Sequence, residues 1–137
     1  MAFVIGIYEV IFENNNVIQI PKAWRKRISK TDTLYCKFSE YESKDDEMLT
    51  KLICCFERSY FNNVDDVDVF TIAIDRRHRM HIPKKCLEAC NFKDNDFVLL
   101  MGWGDIITIK AKRDKLKVTD TDELEQLIHQ TVNLEEH

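Results

Sequence analysis

One short pattern occurs twice in this chain, and it limits the fold more than any other feature. Val17-Ile18-Gln19-Ile20-Pro21-Lys22 falls on Arg79-Met80-His81-Ile82-Pro83-Lys84 when Pro21 is laid on Pro83. The flanks follow in the same order: Glu13 falls on Asp75, and Thr31 to Tyr35 falls near Lys93 to Phe97. An Ile-Pro-Lys match alone arises by chance, but the same element order on both sides of it argues for an internal duplication. Proline ends strand pairing and suits the first turn of a helix, where its missing N–H is no loss. Each copy therefore predicts strand, turn, strand, Ile-Pro, short helix, strand.

In the first half, strands are expected over Val4 to Phe12 and Val17 to Ile20, around a turn at Glu13-Asn14-Asn15-Asn16. A helix over Lys22 to Ile28, a strand over Leu34 to Phe38 and an acidic loop over Glu40 to Glu47 follow. Met48 to Phe56 is β-leaning, and Glu57 to Asn63 suits a short helix. The second half predicts strands over Val67 to Ile74 and Arg79 to Ile82, joined by a turn at Asp75 to His78. A helix over Lys84 to Cys90 and a strand over Phe97 to Met101 come next. A tight turn at Gly102 to Asp105 leads to a returning strand over Ile106 to Ala111. Asp122 to Thr131 has the clearest helical spacing, with Leu124, Leu127 and Ile128 on one face. The chain thus reads as α+β and β-rich, with repeats at 1–64 and 65–118 and a C-terminal helical segment at 119–137. A half of about 60 residues is marginal by itself, so the halves are expected to pack together or to oligomerise.

Several function classes find no support. With only three Gly, the chain has no phosphate-cradling loop. No serine-hydrolase, zinc-protease or EF-hand pattern occurs, so the reading is of a non-enzyme without cofactor. The five cysteines are odd in number and form no C-x-x-C. Cys86 and Cys90 share a helix face with His78 and His81 nearby, but that spacing resembles no standard zinc site, and no metal is expected. The N-terminal stretch lacks the basic region of a signal peptide, and no apolar run is long enough to span a bilayer. The expectation is a cytoplasmic protein with reduced thiols and no membrane contact.

Strand, turn, strand, Ile-Pro, helix, polar turn, strand is the outline of the AbrB-like swapped-hairpin barrel. Two such halves plus a C-terminal helix resemble the MraZ family of bacterial transcriptional regulators, over nearly the whole chain. The second half carries the resemblance best: Asp75-Arg76-Arg77-His78-Arg79-Met80-His81-Ile82-Pro83 is similar to that family's Asp-x-x-x-Arg loop leading into Ile-Pro. His78 stands where those proteins usually have Gly, and the first half holds Glu13 and Val17 at the Asp and Arg places. The resemblance implies two tandem swapped-hairpin units forming a small barrel. It also implies a DNA-binding regulator assembled as a ring-like homo-oligomer and associated with the nucleoid.

The charge pattern points the same way. Net charge is −4 and pI about 5.6, so an acidic protein has to concentrate its cations to approach DNA. Arg76, Arg77, Arg79 and Lys84 follow Asp75 with no intervening acid. Arginine's planar fork suits phosphate or a guanine edge. Arg77 and Arg79 are expected to carry the contact with double-stranded DNA, with Arg76 and Lys84 helping at the backbone and Asp75 pairing with Arg79 or capping the turn. Lys22 and Arg25 belong to a second basic cluster with Lys26, Arg27 and Lys30, which could clamp phosphates; an amphipathic helix burying Trp24 and Ile28, with its cations facing water, is the simpler explanation. Alternatives are an antitoxin-like protein whose segment Thr119 to His137 binds a protein partner, or an assembly protein that has lost DNA binding.

Overall fold

The computed structural model describes residues 4–28, 33–43 and 46–112. The expected helix over Asp122 to Thr131 lies outside them. Eight antiparallel strands close into one barrel: β1 (Val4–Glu13), β2 (Val17–Gln19), β3 (Thr33–Glu42), β4 (Met48–Cys55), β5 (Phe70–Ile74), β6 (Arg79–His81), β7 (Phe97–Gly104) and β8 (Ile106–Ala111). Their order around the barrel is β1-β2-β6-β5-β3-β4-β8-β7. Strands from before and after residue 64 are interleaved, so one apolar interior serves both stretches of sequence.

Alternation fixes which side chains fill the barrel. Phe12, Ile18, Leu34, Leu52, Ile72, Met80, Leu100, Ile107 and Ile109 are all fully buried in one core cluster. The short strands β2 and β6 lie side by side, pairing Ile18 with Met80.

After each Ile-Pro the chain turns helical, but in two ways. Lys84–Cys90 forms the one α-helix among the described residues (α1), ended by Asn91 in a left-handed conformation at φ 58. That geometry is tolerated by Asn and terminates helices. The expected helix over Lys22 to Ile28 is instead a single 3₁₀ turn at Lys22–Trp24, followed by hydrogen-bonded turns. Its bonds run three residues back: Trp24 N–H to the Pro21 carbonyl at 2.9 Å and Arg27 N–H to Trp24 at 2.9 Å. The Ile20 carbonyl, which an α-helix would use for Trp24, accepts from Arg25 Nε at 3.1 Å. Both turns still bury the same relative positions, Trp24 with Ile28 and Cys86 with Cys90.

Trp24 explains another departure from expectation. Its indole N–H donates to the Ile5 carbonyl at 3.0 Å, and its ring meets Tyr8 edge-on at 5.2 Å. The ring lies so close to Gly102 that a Cβ there would sit 2.6 Å from Trp24 Cζ2. Gly102 therefore marks a close approach within β7, not the expected turn; it pairs with Gly6 and Ile107, and the chain reverses only around Asp105.

Two further boundaries shift. β3 runs on to Glu42 because Tyr41 and Glu42 pair with Leu49 and Met48, taking in part of the expected acidic loop. Asp66–Asp68 is a 3₁₀ turn, so β5 begins at Phe70 rather than Val67. Cys54 points into the core, while Cys55 points the other way and donates its thiol to the Glu57 carbonyl at 3.0 Å.

Candidate nucleic-acid interface

The hairpin between β5 and β6 is built on one carboxylate. Asp75 Oδ1 accepts the backbone N–H of Arg77 at 2.8 Å and of Arg79 at 3.1 Å. Asp75 Oδ2 accepts Arg79 Nε at 2.8 Å and lies 2.8 Å from His81 Nε2. Pairing with Arg79 and capping the turn, posed above as alternatives, both occur. Partial burial works to raise the Asp75 pKa, but the bonds from His81, from the two backbone N–H groups and from the Arg79 guanidinium outweigh it. They hold the carboxyl well below the ordinary carboxylate range. His78 closes the turn at φ 58, a conformation His adopts more readily than most residues.

This construction divides the arginines. Arg76 and Arg77 are exposed at the tip. Arg79 has Nε committed to Asp75 and is half-buried. Through that bond it shapes the loop.

The barrel brings the second basic cluster to this same loop. Ile20 N–H donates to the His78 carbonyl at 2.9 Å, and the next residues are Pro21 and Lys22. Arg25 holds the carbonyl of the same residue, Ile20. Lys22, Lys26 and Arg27 are exposed and Arg25 is half-buried. Gln19 completes the corner: its amide donates to the carbonyls of Arg77 at 2.9 Å and His78 at 3.3 Å. Sequence reasoning passed over Gln19. Its only signal is a polar residue on the outward phase of a short strand, which fits any solvated position.

Lys84 belongs elsewhere. Ile82 N–H donates to the Asn16 carbonyl at 2.8 Å, so the start of α1 stands beside the Asn14 to Asn16 loop, at the other end of β6. Lys85 lies 4.0 Å over the Phe70 ring. Val17, the first-half counterpart of Arg79, is buried at 4% exposure. It is part of the packing.

The cysteines present no reactive group at this site. Burial pushes the Cys86 and Cys90 thiols up to about 12, and Cys54 is raised well above its usual value by burial and by Cys36 at 3.0 Å. Among the described residues, no helix is long and apolar enough to cross a membrane.

No family model matches this chain, and no curated protein does. Among solved structures, the chain is similar to the solution structure of PHS018 from Pyrococcus horikoshii, at 17% identity and a TM-score of 0.41, covering 83% of this chain and all of that one.

Proposed function

We propose that this protein is a sequence-specific DNA-binding regulator that acts as a homo-oligomer, with the Asp75 to Arg79 hairpin as its principal contact. The observation that carries the reading is the Asp75 clamp. It fixes the backbone of a tip whose Arg76 and Arg77 side chains remain exposed, beside the exposed cations Lys22, Lys26 and Arg27. A preorganised cationic tip loses little conformational freedom on binding. Arginines on such a β-ribbon can enter a major groove, while the neighbouring lysines meet phosphates. One corner offers few cations, so useful affinity calls for several copies on one DNA.

The reading treats residues 1–64 and 65–118 as two copies of one unit. Supporting this, exchanging β1 to β4 for β5 to β8 returns the same circular strand order. Ile18 pairs with its own counterpart Met80, and the bond from Ile20 to His78 has its mate in that from Ile82 to Asn16. Likeness to the MraZ regulators, on the Asp75-x-x-x-Arg79 and Ile82-Pro83 residues, adds the regulatory role.

The test is a gel shift of the chain on the DNA upstream of its own gene, with an unrelated duplex as competitor and with an Arg76→Ala/Arg77→Ala variant beside the parent. A shift that survives competition and is lost in the variant is expected. No shift, or equal shifts for parent and variant, would remove the reading.

A further inference from the structure

One side of the barrel exterior, along β1 and β7, is largely apolar. In a closed antiparallel barrel the outward residues usually alternate as polar positions against the apolar interior. The outward positions of β2, β6, β5 and β3 follow that rule, with Gln19, Arg79, His81, Thr71 and Lys37 among them. The outward positions of β1 and β7 are mostly apolar, with Glu9 and Glu13 the exceptions, while β8 presents Thr108 and Lys110 beside Ile106. Register places Ile5 beside Trp103 and Ile106, Ile7 beside Met101, and Ile11 beside Phe97. Ile5, Ile11 and Phe97 are 44–47% exposed, the outward Leu99 and Met101 between them are buried, and Glu9 stands in the row between Ile7 and Ile11; apolar side chains grouped on one face in this way mark an interaction surface.

The described chain leaves the barrel at the edge of this surface. Lys112 N–H donates to the Phe97 carbonyl at 3.0 Å, its ammonium pairs with Glu9, and it lies 5.8 Å from the Phe97 ring centroid. Residues 113–137 follow directly. Their sequence carries Leu124, Leu127 and Ile128 at helical spacing, with Asp120, Asp122, Glu123 and Glu125 around them. Tethering at Lys112 gives this segment a high effective concentration at the face, which a separate molecule lacks.

We infer that the outer face of β1 and β7 is the docking surface for the chain's own C-terminal segment, which lays Leu124, Leu127 and Ile128 over Ile5, Ile7, Ile11 and Phe97. The chemistry is helix-in-groove recognition performed within one molecule. It assigns the apolar exterior a partner.

Photo-crosslinking of the full chain tests this. p-Benzoylphenylalanine replaces Phe97, an exposed aromatic position, and in a second variant Ile11. Each variant is prepared in natural and ¹⁵N-labelled form, mixed in equal amounts, illuminated and digested. Crosslinks from position 97 or 11 to residues 119–137 are expected, with both peptides carrying the same label. Adding Leu127→Asp should reduce their yield at least tenfold while the circular dichroism of the barrel is unchanged. Mixed-label crosslinks would show a second copy on this face and overturn self-docking. Crosslinks elsewhere, or none, in both variants would overturn it as well.

Discussion

Asn14 to Asn16 joins β1 to β2 and Arg76 to His78 joins β5 to β6; the first lies beside Ile82-Pro83, the second beside Ile20-Pro21, and each ends on a left-handed residue. They are held by different means. The second loop is clamped from inside by Asp75, which binds two backbone N–H groups and the Arg79 side chain, and only His78 is left-handed. In the first loop Glu13 is exposed, Val17 is buried, and both Asn15 and Asn16 adopt positive φ, at 73° and 61°. One loop thus gains its shape from a charged anchor and can carry exposed arginines. The other gains it from residues that tolerate the turn, and carries no cation. Two three-residue hairpin loops of this barrel thus differ in both backbone conformation and surface chemistry.

The turns behind the loops offer the largest contrast. Trp24 is buried against Gly102 and tied to Ile5, whereas Cys86 at the matching place is a small core filler. Trp24→Ala should cost about 3–5 kcal/mol, by large-to-small core precedent. Cys86→Ala should cost about 1 kcal/mol, since little volume is lost. Chemical denaturation measures both, and similar losses would show that the two corners are supported alike.

Next comes the anchor itself. Asp75→Ala strands several donors at once and should destabilise by about 1–3 kcal/mol, while Glu13→Ala should stay within about 0.5 kcal/mol. A matching loss in Glu13→Ala would dissolve the distinction between the loops.

The same anchor predicts a pH dependence. Because the folded-state pKa of Asp75 is lowered, its contribution is fully present above the ordinary carboxyl range near pH 4 and fades as pH falls below it. Stability curves of the parent and of Asp75→Asn should therefore converge on acidification. Parallel curves would mean that the carboxylate contributes nothing as a charge.

Smaller still is the effect of the closing residue. His78→Val should cost about 1–2 kcal/mol, the penalty of a left-handed conformation for a branched side chain. His78→Gly should change stability by less than about 1 kcal/mol, because relief of strain opposes added chain entropy. Asn16→Gly should do even less, since Asn already suits the turn. Thermal melts of the three variants rank them.

Much of this architecture was legible in sequence because it is local. Ile20-Pro21 and Ile82-Pro83 end their strands by covalent geometry, and alternation along Arg79 to Ile82 fixed the buried Met80. What was hidden depends on distant partners. The turn of β7 was misplaced because Gly102 answers to Trp24, far away in sequence. The Lys22 turn tightened because Arg25 competes for the Ile20 carbonyl. At the candidate site, composition singled out the arginine run. It did not distinguish Arg79, spent on Asp75, from Arg77 at the tip, and it grouped Lys84 with a loop from which β6 separates it.

The most direct test of the central claim compares the two loop tips on DNA. Binding of the parent, Arg77→Ala and Asn15→Ala to the upstream DNA is measured by fluorescence anisotropy over a series of salt concentrations, with folding checked by circular dichroism. Arg77→Ala should weaken binding by about 1–3 kcal/mol per engaged loop if it reads a base edge. The slope of log affinity against log salt should flatten by about one per engaged loop for each lost phosphate contact. Asn15→Ala should match the parent in both affinity and slope. If Arg77→Ala binds as the parent does at every salt concentration, or if Asn15→Ala suffers the greater loss, the clamped hairpin is not the DNA contact.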